Sequence, residues 1–222
     1  MSKTFFIADT HFHHKNIMLY EQSRAEELAK YCIEYVQGYE DKSVQEVKDF
    51  IIDTLNKAEN KEFIETFLNL HDEMIIKNWI ESVRKSDTVW FLGDFALLGR
   101  EGIKRILSRL NGEKYLVIGN HDNYSKEFYR SAGFKEVVIN VVLKDYFFLT
   151  HHPAEYIDDS SPFYNIFGHV HGNPKFATET AHSRCVSLER TNFRPIELEI
   201  FNKIQNRNDI KSEDKNNESL SH

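Results

Sequence analysis

The chain has 222 residues, of which 41% are hydrophobic and 13% aromatic, so it can bury one good-sized core or at most two small ones. No apolar run approaches the roughly 20 residues that cross a membrane, which excludes a membrane-spanning class. The N-terminal residues lack the apolar core of a signal peptide, and Cys32 and Cys185 form no CxxC pair, so we expect a cytoplasmic protein without disulfides or a thiolate metal site.

The first half of the chain predicts one strand followed by a long helical region. The β-type run Thr4–Ala8 ends directly at Asp9. In residues 21–80, apolar side chains recur at helical spacing, and only Gly38 interrupts the pattern. We expect these apolar stripes to pack helices against one another and against the rest of the protein.

From Asp87 onward, short apolar runs alternate with helical stretches. The strands are predicted over 88–92, 115–118, 137–143, 146–149, 163–167, 184–188 and 195–200, and the helices over 101–110 and 125–131. The runs 137–143 and 146–149 flank Lys144-Asp145 and predict a hairpin. This alternation favours an α/β layered protein, and the polar residues 203–222 predict a mobile tail.

The net charge of −7 is distributed unevenly along the chain. Residues 21–70 hold twelve acidic and six basic side chains, which leaves the other residues nearly neutral. Long nucleic acids bind basic surfaces, so we expect no such partner. An acidic segment also repels polyanions, which favours small substrates, among them nucleotides.

Five apolar runs each end directly in polar residues that can bind a metal. These endings are Asp9-Thr10-His11, Asp94, Asn120-His121-Asp122, His151-His152 and His169-Val170-His171. Taken singly, each has another explanation as a helix cap, a turn or a solvated loop. Ligands gather at the carboxyl ends of strands in open α/β sheets, so the five endings together predict one convergent site. Gly93, Gly119 and Gly168 would let the backbone turn sharply there.

The candidate residues divide into two sets of metal ligands that share one carboxylate, that of Asp94. Asp9, His11 and His171 with Asp94 would hold one divalent ion. Asn120, His151 and His169 with the same Asp94 would hold a second. Imidazole and carboxylate ligands suit Mn, Fe, Zn, Co or Ni, and two ions roughly 3.5–4 Å apart can clamp a phosphoryl group.

The order D-x-H, G-D, G-N-H-D, H and G-H-x-H resembles the calcineurin-like metallophosphoesterase superfamily. The stretches ADTHFHHKNI, DEMIIKNWIESVRKSDTVWFLGDFAL and CVSLERTNFRPIELEI are similar to its small single-domain bacterial and phage branch. The resemblance covers roughly residues 3–20 and 72–200. It implies a two-sheet β-sandwich flanked by helices, with a dinuclear metal centre at one end. It also implies that His121 contacts the phosphate and assists the leaving group.

The resemblance places the remaining candidates around that centre. His14 matches that branch and is expected either to support the metal ligands or to contact phosphate, and Asp122 is expected to orient the ring of His121. Arg100 and Arg194 are candidate substrate contacts, and for Arg194 a structural ion pair is the favoured alternative. His13 stands where glycine is usual, and we expect it to be exposed. We expect His152 to point away from the metals, Asn78 and Trp79 to pack, and His71, His182 and His222 to lie at the surface.

Residues 21–71 exceed the short connection of that branch and predict an acidic helical insertion within a metallophosphoesterase domain spanning 1–202. The insertion is interpreted as a helical pair packed on the core. A lid, a dimer interface and a partner-binding module are its alternatives.

The resulting prediction is a metal-dependent phosphoesterase, above all a phosphodiesterase for a small nucleotide-type substrate. A metal-bound hydroxide, with Mn as the expected metal, would attack phosphorus, and His121 would protonate the leaving alkoxide. The alternatives are a phosphomonoesterase, a nuclease of the same fold, and a non-catalytic adaptor that retains metal and acts through residues 21–71.

Overall fold

The computed structural model describes residues 2–57, 59–155, 157, 161–176, 179–199 and 201. Its first sheet has five strands in the order β4-β3-β2-β1-β9. The four parallel strands are β1 (Thr4–Ile7), β2 (Thr88–Phe91), β3 (Glu113–Val117) and β4 (Phe134–Val138), and β9 (Ile196–Glu197) pairs antiparallel with β1.

A second sheet of four strands has the order β5-β6-β7-β8. These strands are β5 (Val141–Leu143), β6 (Phe147–Leu149), β7 (Tyr164–Phe167) and β8 (Ser183–Cys185). The β5–β6 pair is antiparallel and the other two pairs are parallel. A bridge between Ala8 and Ser187 brings the end of β1 beside the chain that leaves β8.

Alternation along β1 shows how the layers form. Phe6 and Ala8 pack between the two sheets, with Leu149 and Ile166 of the second sheet. The neighbouring residues of β1 point to the other face and pack against the helices. Because successive side chains point to opposite faces of a strand, the first sheet is buried on both faces. The predicted α/β architecture, a two-sheet sandwich flanked by helices, is confirmed.

In the described residues, six α-helices lie in the connections between the four parallel strands of the first sheet. They are α1 (Lys15–Tyr20), α2 (Gln22–Tyr35), α3 (Val44–Asn56), α4 (Lys61–Ser82), α5 (Arg100–Arg109) and α6 (Lys126–Ala132). The predicted insertion therefore contains α2, α3 and the first half of α4, which continues unbroken past residue 71. None of the described helices has the length and apolar character needed to cross a lipid bilayer.

The predicted strand over 137–143 is two strands in different sheets. Val138 ends β4 in the first sheet, and Val141 begins β5 in the second. An apolar run alone does not show where a chain changes sheets, so the pattern merged them. The predicted hairpin is present as β5–β6, with positive φ at both Lys144 and Asp145, which matches the right-handed twist of paired strands.

Several other predictions differ from the structure, and one concerns residues outside the described part of the chain. The run 184–188 continues into a short 3-10 helix, Leu188–Arg190, and the run 195–200 keeps only two residues in β9. His71 was expected at the surface but is fully buried, because it lies on the side of α4 that faces the protein, and His182 is half-buried. The predicted tail 203–222, including His222, lies outside the described residues.

Trp79 joins α4 to the first sheet. Its side chain is completely buried, and its ring stacks on Phe91 of β2 with centroids 5.0 Å apart. The indole N–H donates to the carbonyl oxygen of Asn111 at 3.0 Å, so its single donor is satisfied. The long helix is therefore fixed to the central strand by one large apolar side chain.

We expect Trp79→Ala to lower the free energy of unfolding by about 3–5 kcal/mol, because it leaves a cavity in a close-packed layer. Trp79→Phe keeps a stacked ring but leaves the Asn111 carbonyl unpaired, so its loss should be smaller. Ile80→Ala, at a neighbouring position that is 48% exposed, is the control and should change little. Denaturant unfolding followed by circular dichroism measures all three. Equal losses for Trp79→Ala and Ile80→Ala would contradict this account.

Candidate metal centre

The polar residues at five strand ends meet at one edge of the sandwich. Asp9 follows β1, Asp94 follows β2, Asn120 follows β3, His151 follows β6 and His169 follows β7. Hydrogen bonds or close ion-pair contacts join these side chains with His11 and His171. The structure thus brings together all seven side chains that the sequence pattern selected as metal ligands.

The backbone at this edge is held in an unusual conformation. Asp9, His11, Asp94, His169 and His171 all have positive φ, between 44° and 70°. Residues other than glycine avoid this left-handed region, and when they adopt it they cluster at functional sites. The sequence alone does not reveal this feature, because most Asp and His residues still adopt negative φ even though both types are enriched in that conformation. Five of the seven predicted ligands share it, which indicates that the surrounding fold imposes their orientation.

One group of candidate ligands consists of Asp9, His11 and His171. One potential ligand atom from each lies within 4.8 Å of the other two. Asp9 and His11 are completely or almost completely buried, and the His171 Nε2 atom lies 3.8 Å from Asp9 Oδ1. Burial, followed by the positive charge of Arg24, lowers the pKa of His11, so its imidazole is neutral and has a lone pair to offer.

The second group forms around Asn120. Its Oδ1 atom lies 2.8 Å from His151 Nε2 and 3.0 Å from His169 Nδ1. His151, His152 and His169 also form a group of three potential ligand atoms within 4.8 Å. The His152 ring lies 3.9 Å from the His169 ring, centroid to centroid. His152 was expected to point away, but the structure keeps it beside the second group, at its exposed rim.

Asp94 stands between the two groups. Its Oδ2 atom lies 3.5 Å from His11 Nε2 and 3.5 Å from His151 Nε2. Its Oδ1 atom accepts the backbone N–H of His121 at 2.8 Å. One carboxylate oxygen therefore faces a histidine from each group, which is the position required of a ligand shared between two ions.

The hydrogen-bonding pattern fits a cation at this edge. His151 donates its Nδ1 proton to the carbonyl oxygen of Leu92 at 2.8 Å, so in the neutral ring its Nε2 lone pair faces the Asn120 oxygen. The His151 Nε2 atom and the Asn120 Oδ1 atom are then two electron-pair donors that face each other. His11 Nε2 is buried without a hydrogen-bond partner among the described residues. A metal ion bound to these atoms would satisfy both groups.

Asp122 has contacts that differ from the predicted ones. Its carboxylate was expected to orient the ring of His121. It accepts instead the backbone N–H groups of Asp94 at 2.9 Å, Phe95 at 3.0 Å and Gly119 at 2.8 Å. The Asp122 side chain is buried, whereas that of His121 is exposed. Asp122 therefore ties these two loops together and fixes the backbone of Asp94.

Gly119 is required by the same close approach. A Cβ atom at this position would overlap the Asp94 carboxylate and its backbone nitrogen. Because glycine has no side chain, the loops after β2 and β3 can contact each other at this position. The sequence pattern had assigned this glycine only a sharp turn.

Arg24 and Glu189 belong to the site but were not selected from the sequence. Arg24, on α2, is fully buried and donates to Glu189 Oε1 at 2.6 Å, to the Thr10 carbonyl at 3.1 Å and to the Asp9 carbonyl at 2.5 Å. Glu189 Oε1 also lies 3.1 Å from His171 Nδ1. A lone arginine within an acidic helical segment gives no sequence signal for such a role, because only folding brings it beside residue 189.

This network determines which nitrogen of His171 faces the candidate ligands. If Nδ1 donates to Glu189, the lone pair of Nε2 is left facing Asp9, as metal-binding histidines normally require. Although burial opposes it, Arg24 and His171 hold the pKa of Glu189 down to about 2, so this acceptor stays ionised. Burial also raises the pKa of Asp9 to about 6.

His121 and His14 border the first group. The His121 ring lies 5.4 Å from the His11 ring and 6.1 Å from the His14 ring, between centroids. His14 Nδ1 lies 3.2 Å from His11 Nδ1, and burial, aided by His121, lowers the pKa of His14 to about 4. Both imidazoles therefore adjoin the cluster, and phosphate contacts are predicted from the sequence at this position.

The structure separates the other two predicted substrate residues. Arg100 lies at the start of α5, with its guanidinium over the rings of Tyr124 and Phe128. Arg194 instead pairs with Glu81 of α4 at 2.8 Å, and the structure does not bring it to the cluster. The ion-pair interpretation of Arg194, which the sequence left open, matches this position.

His13 takes part in a separate contact. Its ring bonds to Asp72 and Glu65 of α4, each at 3.2 Å. The side chain is half-buried rather than exposed, because α4 passes over it. This unusual histidine therefore attaches the loop after β1 to the inserted helices.

Two packed sheets with imidazoles and carboxylates gathered at one edge define a metal-binding protein of the α/β sandwich class. Residues 2–219 match the model of a family described as calcineurin-like phosphoesterase. The chain belongs to this family, and it is a metallophosphoesterase, an enzyme that hydrolyses phosphoester bonds.

The similar proteins differ in how much of this chain they match. The chain is 28% identical to the uncharacterised protein MJ1445 of Methanocaldococcus jannaschii over 212 residues, and this alignment covers 92% of each protein. It is 40% identical over 55 residues to the Gene 66 protein of Mycobacterium phage L5, covering 23% of this chain and 27% of the relative. Its fold is similar to the crystal structure of AQ665, a protein of unknown function from Aquifex aeolicus, with a TM-score of 0.57, 21% identity and coverage of 92% and 100%.

We expect Arg24→Met to weaken binding of Mn²⁺ about 10–100-fold, because His171 loses the arginine that holds its partner Glu189. Calorimetric titration of the metal-free protein with Mn²⁺ measures this. Arg109→Met is the matched control, since Arg109 makes a comparable pair with Glu73 on the exposed surface.

Because Arg24→Met leaves a buried carboxylate uncompensated, the double variant Arg24→Met/Glu189→Gln separates folding from binding. It should recover part of the lost stability without recovering the affinity for Mn²⁺. Wild-type affinity in both folded variants would show that the network has no influence on the metal centre.

Proposed function

We propose that the protein is a phosphodiesterase with a dinuclear metal centre that acts on a small nucleotide-type substrate. The observation that carries this proposal is the position of Asp94 Oδ2, which is equally distant from His11 of one ligand group and His151 of the other. The Asp94 carboxylate would therefore help to hold an ion in either group, and two such ions could together clamp a phosphoryl group.

The proposed first ion has Asp9, His11, His171 and Asp94 as ligands, and the second has Asn120, His151, His169 and Asp94. His152, at the rim of the second group, is the other imidazole within reach of that ion. When bound, two divalent ions supply a nucleophile at neutral pH and neutralise charge on the phosphoryl oxygens. The nitrogen and oxygen donors suit Mn, Fe, Zn, Ni or Co, and Mn is the metal we propose.

The residues of the chain orient the substrate and handle the proton. His121 is exposed next to the first group, and its backbone is held by Asp94. A ring in this position can donate a proton to the departing oxygen. His14, beside His11, is placed to contact a non-bridging phosphoryl oxygen.

The small number of available cationic side chains near the ligand groups favours a diester over a monoester as the substrate. A monoester carries two negative charges at neutral pH, which the two ions and any cationic side chains beside the ligand groups would have to balance. Arg24 is buried in its pair with Glu189, and Arg190 donates to the carbonyl oxygens of His171, Asn173 and Phe176. A diester with one negative charge makes a smaller demand on the remaining side chains.

A non-catalytic adaptor that acts through residues 21–71 finds less support. Arg24 of this segment is bonded to the backbone of the first ligand group rather than to an exposed surface. We therefore interpret the insertion first as a structural part of the metal centre.

Asp94→Ala should remove metal binding and phosphodiesterase activity together, because the proposal has this carboxylate bind both ions. Metal analysis of the purified variant and turnover of bis(p-nitrophenyl) phosphate with added Mn²⁺ check the two effects. Asp53→Ala, which removes an exposed carboxylate from α3, should change neither. Undiminished turnover by Asp94→Ala would exclude this mechanism.

His121→Ala should keep the metals but lower turnover of diesters with alkoxide leaving groups by about 10²–10⁴-fold, since these need a proton from a general acid. Turnover of bis(p-nitrophenyl) phosphate should fall much less, because nitrophenolate leaves without protonation. The ratio of the two rates in variant and wild type is the measurement. An equal loss on both substrates would mean that His121 does not act as the acid.

A further inference from the structure

A cavity of about 410 Å³ opens beside His121, lined mainly by residues of the loops that follow β2 and β3. Besides His121, its walls include Leu97, Leu98, Asn123 and Tyr124. Its volume falls within the range of about 300–1,000 Å³ that is typical of small-molecule sites. None of the metal-ligand candidates lines it, so it is a compartment separate from the metal centre.

The walls of this cavity are mostly apolar and well supported. Tyr124 packs on Phe128 with ring centroids 4.7 Å apart, and its hydroxyl donates to the Leu98 carbonyl at 3.3 Å. Leu97 is 42% exposed at the mouth, although large apolar side chains are usually covered. Asn123 donates one amide proton to the His121 carbonyl at 3.2 Å, and its own amide oxygen remains as an acceptor. A flat apolar group with polar edges fits these walls.

Arg100 places a positive charge against the ring of Tyr124, one of the residues that line this cavity. Its guanidinium lies 5.4 Å from the Tyr124 ring centroid and 5.0 Å from that of Phe128. It makes no ion pair with any carboxylate in the described part of the chain, whereas Arg109 at the other end of α5 is paired with Glu73. Stacking on the rings keeps the cation in place and leaves its hydrogen-bond donors free for an anion.

We propose that this cavity is the subsite for the leaving group and that it takes a nucleotide. The inference rests on the proposed function, in which His121 protonates the departing oxygen. Whatever is attached to that oxygen extends past His121, and the cavity is the adjoining space. The base would lie against Leu97 and Tyr124, with the Asn123 amide at its edge. A phosphate of the leaving nucleotide would pair with Arg100.

The test uses adenosine 5′-monophosphate as an inhibitor of bis(p-nitrophenyl) phosphate hydrolysis by the Mn²⁺-loaded protein. The nucleotide should inhibit more strongly than either adenosine or inorganic phosphate. Arg100→Ala should raise its inhibition constant about tenfold, the effect of losing one charged hydrogen bond, and should leave the constant for inorganic phosphate unchanged. Leu97→Asp should weaken inhibition by both the nucleotide and adenosine.

Arg105→Ala is the matched control, because Arg105 is an exposed arginine on the same helix and does not line the cavity. It should keep the wild-type inhibition constants. The subsite is wrong if the nucleotide inhibits no better than inorganic phosphate, or if neither Arg100→Ala nor Leu97→Asp changes its inhibition constant.

Direct calorimetric binding of the nucleotide to the metal-free protein separates this inference from the proposed function. Wild-type protein that binds the nucleotide through Arg100 and Leu97 but hydrolyses no phosphodiester would retain the site and overturn the phosphodiesterase proposal. Hydrolysis without any such binding or inhibition would overturn the subsite alone.

Discussion

The position of the Asp94 carboxylate is the constraint on which the rest of this edge depends. One of its oxygens faces a histidine from each ligand group, and the other accepts the backbone N–H of His121. Asp122 holds the backbone that carries it, and Gly119 leaves the space that it fills. The strained left-handed conformations at the strand ends are kept because the packed sandwich beneath them outweighs their cost. A stable core thus supports a locally unfavourable arrangement of polar groups.

The inserted helices take part in this arrangement. Arg24 carries a buried positive charge from α2 to Glu189, and through that carboxylate it orients His171. His13 attaches α4 to the loop that contains Asp9 and His11 by pairing with Asp72. Burying an arginine is costly unless its charge is paired and hydrogen-bonded, and Arg24 has one carboxylate and two carbonyl acceptors. The acidic segment therefore combines a solvated outer surface with an inner face that serves the metal centre.

Fold class and ligand candidates were readable from the sequence to different degrees. The motif blocks around Asp9, Asp94 and His169 were visible because apolar runs that end in histidines and carboxylates are rare in combination. The helices were visible from their periodicity, whereas the change of sheet after Val138 was hidden inside one apolar run. His71 was predicted at the surface because it has no companion residues of a motif, and a single histidine does not reveal which side of a long helix is covered.

The sequence by itself determined the layered class, the positions of the five strand ends at the candidate site and the types of side chain that follow them, since all of these depend on local pattern. Only the tertiary structure decided how those side chains act. In the folded protein, the Asp122 carboxylate accepts a hydrogen bond from the backbone of Asp94, and Arg194 forms an ion pair with Glu81. Arg24, on a helix distant in sequence, forms an ion pair with Glu189. Such contacts join residues up to 165 positions apart, and no local pattern encodes which distant partner a charged group will meet when the layers close.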